Sequence, residues 1–113
     1  MRVLVCGGRD YKDWTKVYDT LTKLKKDNNI IHIINGGAEG ADNASSGWAK
    51  DNSQPLTVFP AEWEIYGKPA GMIRNRSMLA MNPDLVISFP GGKGTANMVK
   101  LALETGTEVM QVI

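Results

Sequence analysis

A chain of 113 residues with 42% apolar and 22% charged content has the make-up of one globular domain, residues 1–113, with no room for a second and no mark of disorder. A formal net charge of +1 excludes the basic surplus of a general nucleic-acid binder, and the single cysteine, Cys6, excludes an internal disulfide framework or a paired-cysteine zinc site. No apolar run approaches the roughly 18 residues of a membrane span, and the chain enters its first strand without a charged-then-apolar leader, so no membrane contact and a cytoplasmic location are expected.

Arg2 to Cys6 is a continuous apolar run, the pattern of a central parallel strand covered on both faces, with Cys6 as a small core residue. A turn, Gly7-Gly8-Arg9-Asp10, follows it. Asp13 or Thr15 then caps a helix whose apolar positions Val17, Leu21 and Leu24 fall at i, i+4 and i+7, with Lys23, Lys25 and Lys26 complementing its negative dipole end. Ile30 to Ile34 reads as a second buried strand. The only histidine, His32, lies in its middle, where side chains are packed rather than catalytic.

A second glycine turn, Asn35-Gly36-Gly37-Ala38-Glu39-Gly40-Ala41-Asp42, opens a helix with Ala41, Ala44 and Trp48 inward. Gly47 within it is read as allowing a close approach to the sheet. Asp42 sits in the first turn, where the dipole favours a carboxylate; it either caps the helix or contacts a ligand hydroxyl. Leu56 to Phe59 is a third strand, ended by Pro60. The stretch Ala61 to Gly71 has no clear periodicity, and its Trp63 and Tyr66 either stack on a base or cover an edge of the core. Met72 to Met81 is expected to be helical, carrying Arg74, Asn75 and Arg76, with Ile73, Leu79 and Ala80 inward and Asn82-Pro83 as the stop.

Leu85 to Phe89 reads as the fourth strand, and Pro90-Gly91-Gly92-Lys93-Gly94-Thr95 as a strand-to-helix turn built to hold an anion. Its glycines remove Cβ atoms that would keep a ligand off the backbone, and the first N–H groups of the next helix lack internal partners. Thr95 caps that helix, binds a phosphate oxygen, or does both. The helix is expected to turn Ala96, Val99 and Leu103 inward and to end at Gly106, before a fifth strand from Glu108 to Ile113.

Strands alternating with helices give an α/β fold: a five-stranded parallel sheet with helices on both faces, expected order 3-2-1-4-5. The winding then reverses between the first and fourth strands, where ligands bind beyond the strands' C-terminal ends. The turns at Gly7 and Pro90 would flank that crevice with Gly36 and Gly37 beside them, and Arg9 and Lys93 would share its rim, as a phosphate-bearing small ligand requires. No turn matches the dinucleotide or Walker patterns, which argues against a dehydrogenase or ATPase, and no Asp/His cluster has metal-ligand spacing, so neither metal nor cofactor is expected.

Taken together, Gly7-Gly8-Arg9-Asp10, Gly36-Gly37-Ala38-Glu39-Gly40-Ala41-Asp42, Ala61-Glu62-Trp63 through Ile73-Arg74-Asn75-Arg76-Ser77, and Pro90-Gly91-Gly92-Lys93-Gly94-Thr95 resemble the YspA-like, YpsA-related branch of the SLOG superfamily, over nearly the whole chain. The resemblance implies a Rossmann-like three-layer α/β/α fold and a nucleotide or nucleotide-derived ligand, bound for sensing, sequestration or processing. The ligand-contacting set it implies is Gly7, Gly8, Arg9, Gly36, Gly37, Ala38, Arg74, Asn75, Arg76 and Pro90 through Thr95. Related LOG enzymes hydrolyse the N-glycosidic bond of nucleoside 5′-monophosphates with a Pro-Gly-Gly-x-Gly-Thr-x-x-Glu motif and an arginine. In this chain the glutamate position is Met98, so a phosphoribohydrolase would draw its carboxylate from Asp10, Glu39 or Asp42 and its arginine from Arg74 or Arg76. DprA, in the same superfamily, binds single-stranded DNA; this chain lacks its length and a basic surplus. Related proteins often form dimers, which makes a homodimer the partner the resemblance implies.

Overall fold

The runs of branched apolar residues become the strands of one parallel sheet. In a computed structural model that describes every residue from Met1 to Ile113, the elements follow as β1 (Arg2–Cys6), α1 (Trp14–Lys26), β2 (His32–Asn35), α2 (Ala41–Asp51), β3 (Leu56–Val58), α3 (Trp63–Tyr66), α4 (Ala70–Leu79), β4 (Leu85–Ser88), α5 (Lys93–Glu104) and β5 (Val109–Gln111). The strand order is β3-β2-β1-β4-β5, parallel throughout, as the alternation of strands and helices predicts. β1 is the central strand; Val3 pairs with both Ile33 and Leu85.

Alternate residues of β1 feed two cores. Val3 and Val5 join Val17 and Leu21 of α1 and Ala44 and Trp48 of α2 on one face, whereas Leu4 and Cys6 join Met78 of α4 and Met98 and Ala102 of α5 on the other. Right-handed crossovers that reverse direction after β3 put the helices on these two faces. The reversal opens the sheet's C-terminal edge between β1 and β4.

Several details differ from the sequence reading, each for a local reason. Asp13, not Thr15, caps α1, accepting from the Lys16 N–H at 3.1 Å. β2 starts at His32, because Ile30 is 58% exposed and its carbonyl accepts from the N-terminal amine. His32 therefore lies at the sheet's N-terminal edge, far from the crevice, with Nε2 2.7 Å from Thr57 Oγ1; burial and the Arg2 charge hold its pKa down. Gly47 makes room for α1 rather than for the sheet, since a Cβ there would sit 2.8 Å from the Tyr18 hydroxyl. The aperiodic stretch holds the short helix α3, and α4 starts two residues before the expected Met72.

The buried side of α4 is Ala70, Asn75 and Met78; Ile73 and Leu79 are only half-buried and Ala80 is exposed. Asn75 is tolerated inside because its Nδ2 donates to Gly94 O at 3.3 Å and Asn97 Oδ1 at 2.9 Å. α5 is rotated from its expected setting: Met98 and Ala102 are buried, while Ala96 and Leu103 face out, Leu103 at 63% exposure. No helix is long and apolar enough to cross a membrane.

Candidate functional site

Beyond the strand ends, three glycine turns interlock. The β1–β4 ladder runs on past the strands, with Phe89 N–H donating to Cys6 O and Gly8 N–H to Pro90 O, both at 2.9 Å. That approach leaves no space for side chains. A Cβ on Gly7 would meet Ala41 Cβ at 2.6 Å, one on Gly91 would meet Thr95 Oγ1 and Gly8 N, and one on Gly40, already at φ +78°, would meet Gly8 O. Gly7, Gly8, Gly40 and Gly91 therefore hold the turns together. Gly92 and Gly94 have no atom within 4 Å of a Cβ position and open onto empty space.

That space is a crevice of about 470 Å³ at the β1/β4 reversal. Of the residues singled out from sequence, the structure brings Gly7, Arg9, Gly36, Gly37, Ala38, Asp42, Arg74, Asn75, Gly92, Lys93, Gly94 and Thr95 to its walls, while Gly8, Asp10, Glu39, Arg76, Pro90 and Gly91 lie outside its lining. Asp10 and Glu39 are exposed turn residues, and Arg76 points to the opposite side of α4, toward Leu101 and Glu104 of α5. Val5, Cys6, Met78, Pro60 and Ala61 also line the crevice; of these, Cys6 was legible as the last residue of a strand ending at the ligand edge.

One end of the crevice is the start of α5. Thr95 does not cap it: the N-cap is Gly92, no side chain bonds there, and the amides of Lys93, Gly94 and Thr95 have no protein acceptor. Three free N–H groups at the positive end of a helix dipole, with Lys93 and Arg9 alongside, give this end of the crevice a chemistry suited to an anion.

The floor is formed by the turn before α2. Asp42 Oδ2 accepts from the amides of Gly36 at 3.1 Å and Ala38 at 3.2 Å, whereas Oδ1 has no protein partner. Asp42 is 6% exposed as a residue, and burial raises its pKa to about 6 against the opposing pull of those two amides and the Arg74 charge. Burial, with the Asp42 charge behind it, pushes the Cys6 thiol up to about 12. Arg74 reaches over the same turn from α4: its guanidinium lies where a Cβ on Gly36 would be, 2.8 Å from Nη1, and Nη1 stands 3.5 Å from Gly36 O. Its Nε is buried without a partner. Asn75 ties α4 to α5 through Nδ2 rather than offering that group to the crevice. No three His, Cys, Asp or Glu side chains are grouped as metal ligands.

A larger groove of about 620 Å³ lies on the far side of the Pro90 turn, lined by the outward apolar stripe of α5 and the chain end at Ile113. Its only charged residues are Lys100 and Glu104, whereas Arg9, Arg74 and Lys93 line the smaller crevice.

Residues 1–66 match the family model described as the YspA, cpYpsA-related SLOG family, more than half of the chain. The chain belongs to this family. The chain is also similar to the Gene 61 protein of Mycobacterium phage D29, 36% identical over 117 residues that take in 96% of this chain and 94% of that protein. Among solved structures, the X-ray structure of TM1055 matches with a TM-score of 0.72 at 21% identity, covering 96% of this chain and 71% of that one, a likeness of fold. SLOG membership points to the binding or processing of a nucleotide-related ligand. The turn from Gly36 to Asp42 falls within the matched residues, and the Pro90 turn lies beyond them.

Proposed function

We propose that this SLOG protein binds a phosphorylated nucleotide or nucleotide-derived small molecule in the β1/β4 crevice, as a sensor, sequestering or processing protein. The observation that carries this reading is the uncapped start of α5, whose free amides at Lys93, Gly94 and Thr95 open onto the same crevice as Arg9, Lys93 and Arg74. A phosphate at that end would leave the sugar near Asp42, whose Oδ1 is free to accept from a hydroxyl.

A second reading, hydrolysis of the N-glycosidic bond of a nucleoside 5′-monophosphate, draws on one specific observation. Asp42 is the only carboxylate lining the crevice, and with a pKa of about 6 it is suited to proton transfer near neutral pH. Met98 does not contribute, being fully buried in the core beneath α5. Single-stranded DNA binding calls for successive aromatic platforms along a basic groove, and this crevice has one aromatic, Trp63.

The deciding experiment incubates the protein with nucleoside monophosphates, ADP-ribose, NAD and cyclic dinucleotides, following melting temperature and released base together. A ligand that raises the melting temperature with no free base supports the binder. Turnover that disappears in Asp42→Asn supports the hydrolase, and a panel without any thermal shift or base release refutes both.

A further inference from the structure

α3 presents an energetic anomaly: none of its residues is buried, and Trp63, Ile65 and Tyr66 are 56%, 70% and 47% exposed. Trp63 alone of these lines the crevice; Tyr66 lies in a separate small cavity beside Phe59 and Ser77. The far edge of the indole rests on the first turn of α4, where Cη2 stands 3.5 Å from the Cβ position of Gly71. A Cβ there would meet the ring only at ordinary van der Waals distance, so the helix backs the indole without covering it. The indole is thus supported from behind and still more than half exposed.

We propose that Trp63 is the stacking platform for a planar base, so that the ligand is a nucleotide held by its base as well as by its phosphate. This deepens the reading of the crevice as a nucleotide site and rests on it. Trp63 follows β3, three strand spacings from β4, or roughly 14 Å by sheet geometry. Inorganic phosphate or a phosphosugar seated at α5 leaves the Trp63 end unfilled; a nucleotide extends toward it past Asp42. Indole is the best of the side-chain faces for this purpose, and stacking on it tolerates different bases because each has a π-face.

The test measures the affinity of the four 5′-mononucleotides and of ribose 5-phosphate for the wild type, Trp63→Ala and Trp63→Phe, with Trp14→Phe as a fluorescence control. Stacking predicts that the best mononucleotide binds the wild type more tightly than ribose 5-phosphate does, and that Trp63→Ala weakens it between roughly 5- and 150-fold. Ribose 5-phosphate affinity should stay unchanged in Trp63→Ala, and Trp63→Phe should recover most of the loss. Nucleotide should quench the emission of the wild type and of Trp14→Phe but not that of Trp63→Phe. Equal binding of ribose 5-phosphate and mononucleotide by the wild type, or equal weakening of both by Trp63→Ala, overturns the platform while leaving the phosphate site standing. Failure of all five compounds to bind the wild type overturns the site reading and the platform with it.

Discussion

Asp42→Asn should make the protein more stable at pH 8, not less. Asparagine keeps a carbonyl oxygen where Oδ2 now accepts from Gly36 and Ala38, so the turn retains its two bonds. The substitution removes the penalty on the charge. Burial raises the Asp42 pKa from its ordinary 3.8 to about 6, so the folded state holds the proton more tightly than the unfolded chain does. The resulting stabilisation is complete below pH 3.8 and is lost as pH rises through 6. At pH 8 the ionised group costs roughly 3 kcal/mol relative to a neutral one, and at pH 5 about half of that. Urea unfolding at pH 8 should therefore favour Asp42→Asn by up to about 3 kcal/mol, or roughly 10 °C in melting temperature, with the gain halved at pH 5. Ligand binding should weaken in the same variant. A variant that is less stable at pH 8, or whose advantage does not change with pH, would refute the account of Asp42 as a buried charge kept for a ligand.

The glycines give a paired test. Gly92→Leu has open space and a φ of −101°, so it should change stability by about 1 kcal/mol at most while abolishing nucleotide binding, measured by calorimetry. Gly91→Ala drives a methyl into Thr95 and to 2.6 Å from Gly8 N, and should lose about 2 kcal/mol in urea unfolding. Cys6, its thiol pushed up to about 12, should react with a disulfide reagent at pH 8 roughly a thousandfold more slowly in the folded protein than in urea; rapid native labelling would contradict that environment. Met98→Glu restores the glutamate of the LOG motif but places a carboxylate in a fully buried core, so it should lose about 3 kcal/mol or more and gain no base-releasing activity.

The sheet was legible because β1, β2 and β4 are largely buried around short branched apolar runs, and because the helices between them call for parallel crossovers. Helix rotation was less legible. α5 carries two apolar stripes, Ala96-Val99-Leu103 and Met98-Ala102, and periodicity cannot choose between them; the sheet chose the second. In α4 one of the three buried residues is Asn75, a polar side chain whose partners Gly94 and Asn97 come from another helix, so no local pattern marks it. The turns of the site were visible as glycine clusters, but their division into glycines that hold the loops together and glycines that open onto the crevice depends on neighbours distant in sequence. The same holds for the carboxylates. Asp42 differs from Asp10 and Glu39 in being buried within its own turn and close enough to Arg74 to feel its charge, a proximity spanning more than thirty residues of sequence.

The two cores flanking the sheet are unequal. Thirteen buried residues join the layer of α1 and α2 to the strands, and seven join the layer of α4 and α5. Amide hydrogens of the second layer should therefore exchange through partial openings that leave the first intact. The crevice lies across this seam, with α5 and Arg74 on the weaker side and the Gly36 turn on the stronger. A molecule gripping both would suppress those openings, so a ligand held at one end of the sheet would be felt as a stiffening along the whole length of α4 and α5.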